Sequence, residues 1–146
     1  NFALSLAGFA RGLAAFAASD GVGGVRGAAM ARLTSAMMTH PEYVAGEGRA
    51  STGLMRAMGG RAAIKSGAEG VFAAIIPERK LGIAVKIDDG ATRASEAVIA
   101  GLLVAAGVLD ADHPEARAVM HGPILNRREI ETGHYALAQD LGTWAL

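Results

Sequence analysis

Cysteine is absent from the 146-residue sequence. Neither a disulfide nor a thiolate metal site can therefore come from it, which suits a reducing, cytoplasmic setting. Net charge is absent as well, because 14 Lys and Arg balance 14 Asp and Glu. Without a basic stripe to track phosphates, no nucleic-acid partner is expected. Long apolar runs are also missing. The longest uncharged stretch of the second half, Ala97 to Leu109, lies between Glu96 and Asp110. A membrane-spanning helix needs roughly 20 apolar residues, so this stretch reads as a core helix and no membrane partner is expected. The amino terminus has neither an initiating methionine nor a basic region ahead of its apolar part, so it is not read as a signal peptide. It opens inside a helical pattern, as if the chain were cut. Lysine is scarce: Lys65, Lys80 and Lys86 stand against 11 arginines.

What is present is 51% hydrophobic and 19% charged. That composition excludes disorder and supports one domain, or part of one, with a sizeable core. Phe2, Leu6, Phe9, Leu13 and Phe16 recur at helical spacing, which predicts a core helix ending near Ser19-Asp20-Gly21. Gly21 to Gly24 link it to a second helix, about Arg26 to Thr39, with Val25, Ala29, Leu33 and Ala36 on its buried face. His40-Pro41 ends that helix, since the residue before proline is pushed out of the α region. Glu42 to Ala50 reads as a loop. Ser51 or Thr52 would cap a short helix through Met58, closed by Gly59-Gly60.

Strand patterns follow. Ala62 to Ser66 is a short apolar run. Val71 to Ile76 is apolar at both alternating positions, as in a central strand covered on both faces. Leu81, Ile83, Val85 and Ile87 alternate with Gly82, Ala84 and Lys86, giving a half-buried strand. Pro77 to Lys80 joins the last two as an antiparallel hairpin. A helix is expected from Thr92 to Ala106. Beyond Gly107 the sequence reads as loop, with a strand near Tyr135 to Ala138. Consecutive strands joined by tight turns favour an α+β class, an antiparallel sheet flanked by helices. The expected organisation is one unit, 1–146, with helices over about 2–58, strands over 61–88, a core helix at 92–106 and a carboxy-terminal segment at 107–146.

Most candidate chemistry dissolves on inspection. His40, His113, His121 and His134 never fall at the i, i+4 spacing of a helical metal pair, so no metal site is expected from this chain. Gly21-Val22-Gly23-Gly24 follows a helix and lacks the Gly-Lys-Ser/Thr ending of a phosphate loop. Asp88 and Asp89 are adjacent and would point to opposite faces of a strand, so turn and helix-start roles suit them better. Glu47, between Gly46 and Gly48, is a candidate substrate-binding residue because it sits on a loop.

Lys65-Ser66-Gly67 stands apart. Lysine, serine or threonine, then glycine at a strand end resembles a motif shared by penicillin-binding proteins and class A β-lactamases. On a strand Lys65 and Gly67 face the same side. The lysine charge can lower the pKa of a serine hydroxyl and attract a substrate carboxylate, while glycine lets a substrate approach the backbone. No serine in the sequence is followed three residues on by lysine, so the Ser-x-x-Lys helix of that fold is missing.

The strings "KSGAEGVFAAIIPERKLGIAVKIDDGATRASE", "HPEYVAGEGRAST" and "GPILNRREIETG" resemble the rhizobial-type (class 3) L-asparaginase family, also called asparaginase II, from Asn1 to about Gly133. The resemblance implies hydrolysis of L-asparagine to L-aspartate and ammonia, a fold related to serine β-lactamases and penicillin-binding proteins, and a homodimer. It implies Lys65 as the catalytic lysine of a Ser–Lys pair; beside it, Ser66, Gly67 and Glu69 on the same segment, and Glu47 on its loop, are the substrate-binding candidates read from the residues. The family's nucleophile serines and zinc ligands correspond to a segment ahead of Asn1, so this chain would be the carboxy-terminal half of the enzyme. Where some members carry a further cysteine, this sequence reads Arg49-Ala50-Ser51-Thr52. The alternatives are a catalytically silent fragment or assembly module, and a penicillin-interacting serine hydrolase.

Overall fold

The structure is a computed structural model that describes residues 3–138. Its centre is a three-stranded antiparallel sheet: β1 (Ala63–Ser66), β2 (Val71–Ile76) and β3 (Leu81–Lys86), in the order β1-β2-β3. The class is α+β, with helices on both faces. The central strand β2 is buried along nearly its whole length, as its unbroken apolar run requires.

Strand alternation divides the sheet into two unlike faces. One carries Ile64, Phe72, Ala74, Ile76, Ile83 and Val85, which join the main core. Covering it are α4 (Ala50–Ala57), α5 (Thr92–Ala105) and α6 (Pro114–Met120), through Leu54, Met55, Ile99, Leu103 and Met120. The other face carries Ile75 among small residues: Ala63, Ala73, Gly82 and Ala84. Against it lies α1 (Leu6–Ala17), so close that a Cβ on Gly82 would overlap backbone atoms of Ala10 and Ala14. The alternate positions of β3 thus face a helix, where the sequence pattern gave a half-buried strand.

The helices correct several expectations. Phe2 lies outside the described residues. Leu6 is exposed, Phe9, Leu13 and Phe16 are half-buried, and Ala17 is the buried residue of α1. Small residues permit the closest approach to the sheet, so the helix seats on its alanines, with Leu13 and Phe16 packed beside them against Ala63 and Ile75. In α2 (Gly24–Thr39) the buried residues are Gly27 and Thr34, while Val25 is 89% and Leu33 54% exposed. A helix that is apolar on several sides has no single stripe to read, and Gly27 decides the matter. A Cβ there would stand 2.6 Å from the Ser19 carbonyl oxygen.

His40-Pro41 ends α2 at Thr39 as the sequence predicts, and proline also opens two helices. Pro41 begins α3 (Pro41–Ala45) inside the expected loop, and Pro114 begins α6. The missing N–H and fixed φ of proline suit a first helical position. His113 adds a cap, its Nδ1 accepting from the Glu115 N–H at 3.2 Å. Neither Ser51 nor Thr52 caps α4. Arg49 holds the N-cap position without a side-chain bond, and the buried Thr52 hydroxyl donates to the Gly46 carbonyl at 2.6 Å. The strand placed at Tyr135 to Ala138 lies earlier in the chain: β5 (Glu131–His134) pairs with β4 (Pro123–Leu125) in a separate hairpin. Asn126 Oδ1 shapes that turn by accepting from the N–H groups of Arg128 and Ile130. Helix α5 ends as its Gly107 predicts. The Val108 N–H reaches back to the Leu103 carbonyl and the Gly107 N–H to that of Val104, the paired bonds of a Schellman motif.

Candidate active site

Lys65 is the third residue of β1. It lies on the small-residue face with Ala63, opposite Ala73 of β2. Ala63 is buried against Leu13, Phe16, Met37 and Met38, whereas Lys65 is exposed. Its Nζ donates to the carbonyl oxygen of Ser66 at 2.6 Å. Ser66 sits on the opposite face of the strand and is half-buried. Two serine hydroxyls have other work: Ser5 Oγ caps α1 by accepting from the Gly8 N–H, and Ser95 Oγ donates to the Thr92 carbonyl. Among the described residues no serine hydroxyl bonds to Lys65.

The turn after Lys65 is tightly built. The Gly67 N–H donates to the Val71 carbonyl at 2.8 Å, and a Cβ on Gly67 would stand 3.1 Å from that of Val71. Glu69 and Gly70 both take positive φ, 58° and 67°. Gly70 is needed there, since a Cβ would come within 2.9 Å of Ile87 and 3.0 Å of Gly90. The Ile87 N–H donates to the Gly70 carbonyl at 3.1 Å, so the loop after β3 fixes the turn that presents Glu69. Lys65, Ser66, Gly67 and Glu69 are therefore carried by one rigid hairpin end.

On the same face, one step along the sheet, Val71 pairs with Lys86. Together with Leu4, Ser5, Leu6 and Phe9 from the start of α1, these two residues line a shallow, mostly apolar groove of about 300 Å³. The end of the sheet that bears Lys65 thus combines exposed lysines with open apolar surface.

Glu47 lies elsewhere. It sits in the loop between α3 and α4, where its two carboxylate oxygens accept from Arg56 at 2.7 and 2.8 Å. The Arg56 hydrogen bonds hold its carboxyl below the usual range. It lines a larger cleft between α4, α5 and α6 that includes none of Lys65, Ser66, Gly67 or Glu69. Sequence reasoning misses this cleft because the α6 stretch reads as loop. The signal that could have found it is a proline one residue into a helix pattern, at His113-Pro114.

Zinc is implied by the resemblance. The sequence has no cysteine, and among the described residues no three His, Asp or Glu side chains gather around one point. Among those residues no helix is long and apolar enough to cross a membrane.

The family model described as L-asparaginase II matches residues 1–137. Comparison with curated proteins finds no match.

Proposed function

The chain belongs to the L-asparaginase II family, and on that premise we propose that it forms the Lys65 wall of an L-asparagine amidohydrolase site. The observation that carries this reading is the family match over a segment whose Lys65 is exposed at the end of an edge strand.

The chemistry needs a nucleophile, which we assign to a serine hydroxyl from outside residues 1–146. That oxygen attacks the side-chain amide carbon of asparagine. The C–N bond breaks, and the nitrogen takes a proton and leaves as ammonia. Water then cleaves the acyl ester, releasing aspartate and restoring the hydroxyl. Lys65 acts by charge. Two unit charges about 4 Å apart attract by about 1 kcal/mol in water and about 4 kcal/mol near a protein surface. The larger figure lowers a hydroxyl pKa by up to about 3 units. Glu69, held beside Gly90 by its turn, is offered to the substrate ammonium. Gly67 keeps the strand end open. A homodimer in the cytoplasm belongs to the same reading, as does zinc held by residues outside this chain.

Ammonia release from L-asparagine tests the proposal, with the Lys65→Met variant alongside. The expected result is a fall of at least about 100-fold with unchanged circular dichroism, the range of loss for a positioned catalytic group. Equal release by both proteins would overturn the role of Lys65.

A second reading, a silent assembly module, draws on a specific observation: Lys65 Nζ bonds to a backbone carbonyl, with no serine hydroxyl beside it among the described residues. No ammonia from either protein would favour it. A penicillin-interacting hydrolase rests on Lys65-Ser66-Gly67 alone, and covalent labelling by a β-lactam would be its signature.

A further inference from the structure

The cleft between α4, the first turns of α5 and α6 has a volume of about 760 Å³, within the range of small-molecule sites, roughly 300–1,000 Å³. Its charged lining is Glu47, Arg49, Arg56, Glu96, His113 and Glu115. Most of these groups are already engaged. Arg56 grips Glu47 through two hydrogen bonds and lies 3.6 Å from Glu42. His113 caps α6. Glu115 is tucked against α4, where a Cβ on Gly53 would collide with its carboxylate.

Two groups differ. Among the described residues, the Arg49 guanidinium and the Glu96 carboxylate have neither a hydrogen bond nor an ion pair. They belong to different elements, the N-cap of α4 and the second turn of α5. Glu96 is half-buried, and burial pushes its carboxyl upward, with Arg49 opposing the shift. A carboxylate withdrawn from water without a hydrogen bond is unfavourable. Any ligand that brings it a cation recovers that loss. The lining also includes the small residues Gly48, Ala50, Gly53 and Thr92.

An anion and a cation in one cleft, neither held by a hydrogen bond or an ion pair, complement a molecule that carries both charges a few bonds apart. We propose that this cleft binds a free α-amino acid as its zwitterion, with the ammonium on Glu96 and the carboxylate on Arg49. The inference does not rest on the amidohydrolase reading, since Lys65 is outside the cleft. The ligand could be the amide amino acid that Lys65 would serve, or its dicarboxylic product.

Glycine, L-asparagine and L-aspartate serve as probes in calorimetric titrations of the Lys65→Met chain, in which turnover cannot confuse the heat. Saturable binding of at least one probe is expected. Arg49→Gln and Glu96→Gln should each weaken it at least tenfold. N-acetylglycine, without the ammonium, and glycinamide, without the carboxylate, should bind at least tenfold more weakly than glycine. Amide shifts in NMR should concentrate at Gly48, Gly53 and Thr92. Preference among the three probes separates substrate from product. The proposal falls if no probe binds, if both charge variants bind as the parent does, if the blocked compounds bind equally, or if the shifts centre on Gly67 and Glu69. None of these outcomes depends on ammonia release, so failure here leaves the Lys65 test independent.

Discussion

Gly82 lies directly beneath Ala14, and a Cβ added to it would overlap the Ala14 amide nitrogen. This one contact sets how closely α1 approaches the sheet. Gly82→Val is expected to destabilise the chain by about 1–3 kcal/mol, the usual range for overpacking. For a domain of this size that is roughly 3–10 °C in the thermal midpoint. Gly12, on the same helix with open space where its Cβ would go, should behave oppositely. Gly12→Ala is expected to add roughly 0.5–1 kcal/mol. Thermal unfolding of the pair checks both signs, and an unchanged midpoint for Gly82→Val would mean that α1 does not rest on β3.

The same glycine shows why part of the fold was legible and part was not. The strands could be read because β2 is apolar at every position and β3 alternates, and the register follows those patterns. Helix α5 could be read because Gly107 supplies the positive φ, 73°, that its ending requires. The packing of α1 and α2 could not, because closeness there is achieved by what is missing. Gly82 and Gly27 carry no side chain to register in a hydrophobic pattern, while Val25 and Leu33 register strongly and face outward. The site divided along the same line. Lys65, Ser66, Gly67 and Glu69 lie within five residues of sequence, and the hairpin keeps them together. Arg49 and Glu96 are brought to one cleft only by tertiary packing, which no local spacing reveals.

Thr34 carries a hydroxyl into the interior. It is 2% exposed, and among the described residues its Oγ1 has no hydrogen-bond partner. An unsatisfied buried polar group costs about 1–3 kcal/mol. Valine has nearly the same shape without the hydroxyl, so Thr34→Val should raise stability by about 1 kcal/mol or more. Urea denaturation measures this directly. A loss of stability would show that the hydroxyl is satisfied in solution, by water or by a different rotamer of its neighbours.

Glu96 sets a pH dependence opposite to that of the surface carboxylates. Asp20, Glu47 and Glu78 have folded pKa values lowered by hydrogen bonds from Lys80, Arg56 and Arg61. Their contributions are present above the unfolded pKa and fade as pH falls through the folded value. These pairs are exposed, so each effect is small and screened by salt. For Glu96 the shift is upward, chiefly because burial disfavours the charge. The folded state then holds that proton more tightly than the unfolded state does. Its stabilising contribution is full below the unfolded pKa, near 4.3, and is lost as pH rises through the raised folded value. At pH 7 the ionised carboxylate is therefore a liability, which glutamine removes. Glu96→Gln should raise the thermal midpoint at pH 7, and the difference should close on acidification toward about pH 4, where the native carboxyl is itself neutral. Melting curves across that range decide the point. A variant less stable than the parent at pH 7 would mean that Arg49 outweighs desolvation, with the Glu96 charge stabilising the empty cleft instead of awaiting a cation.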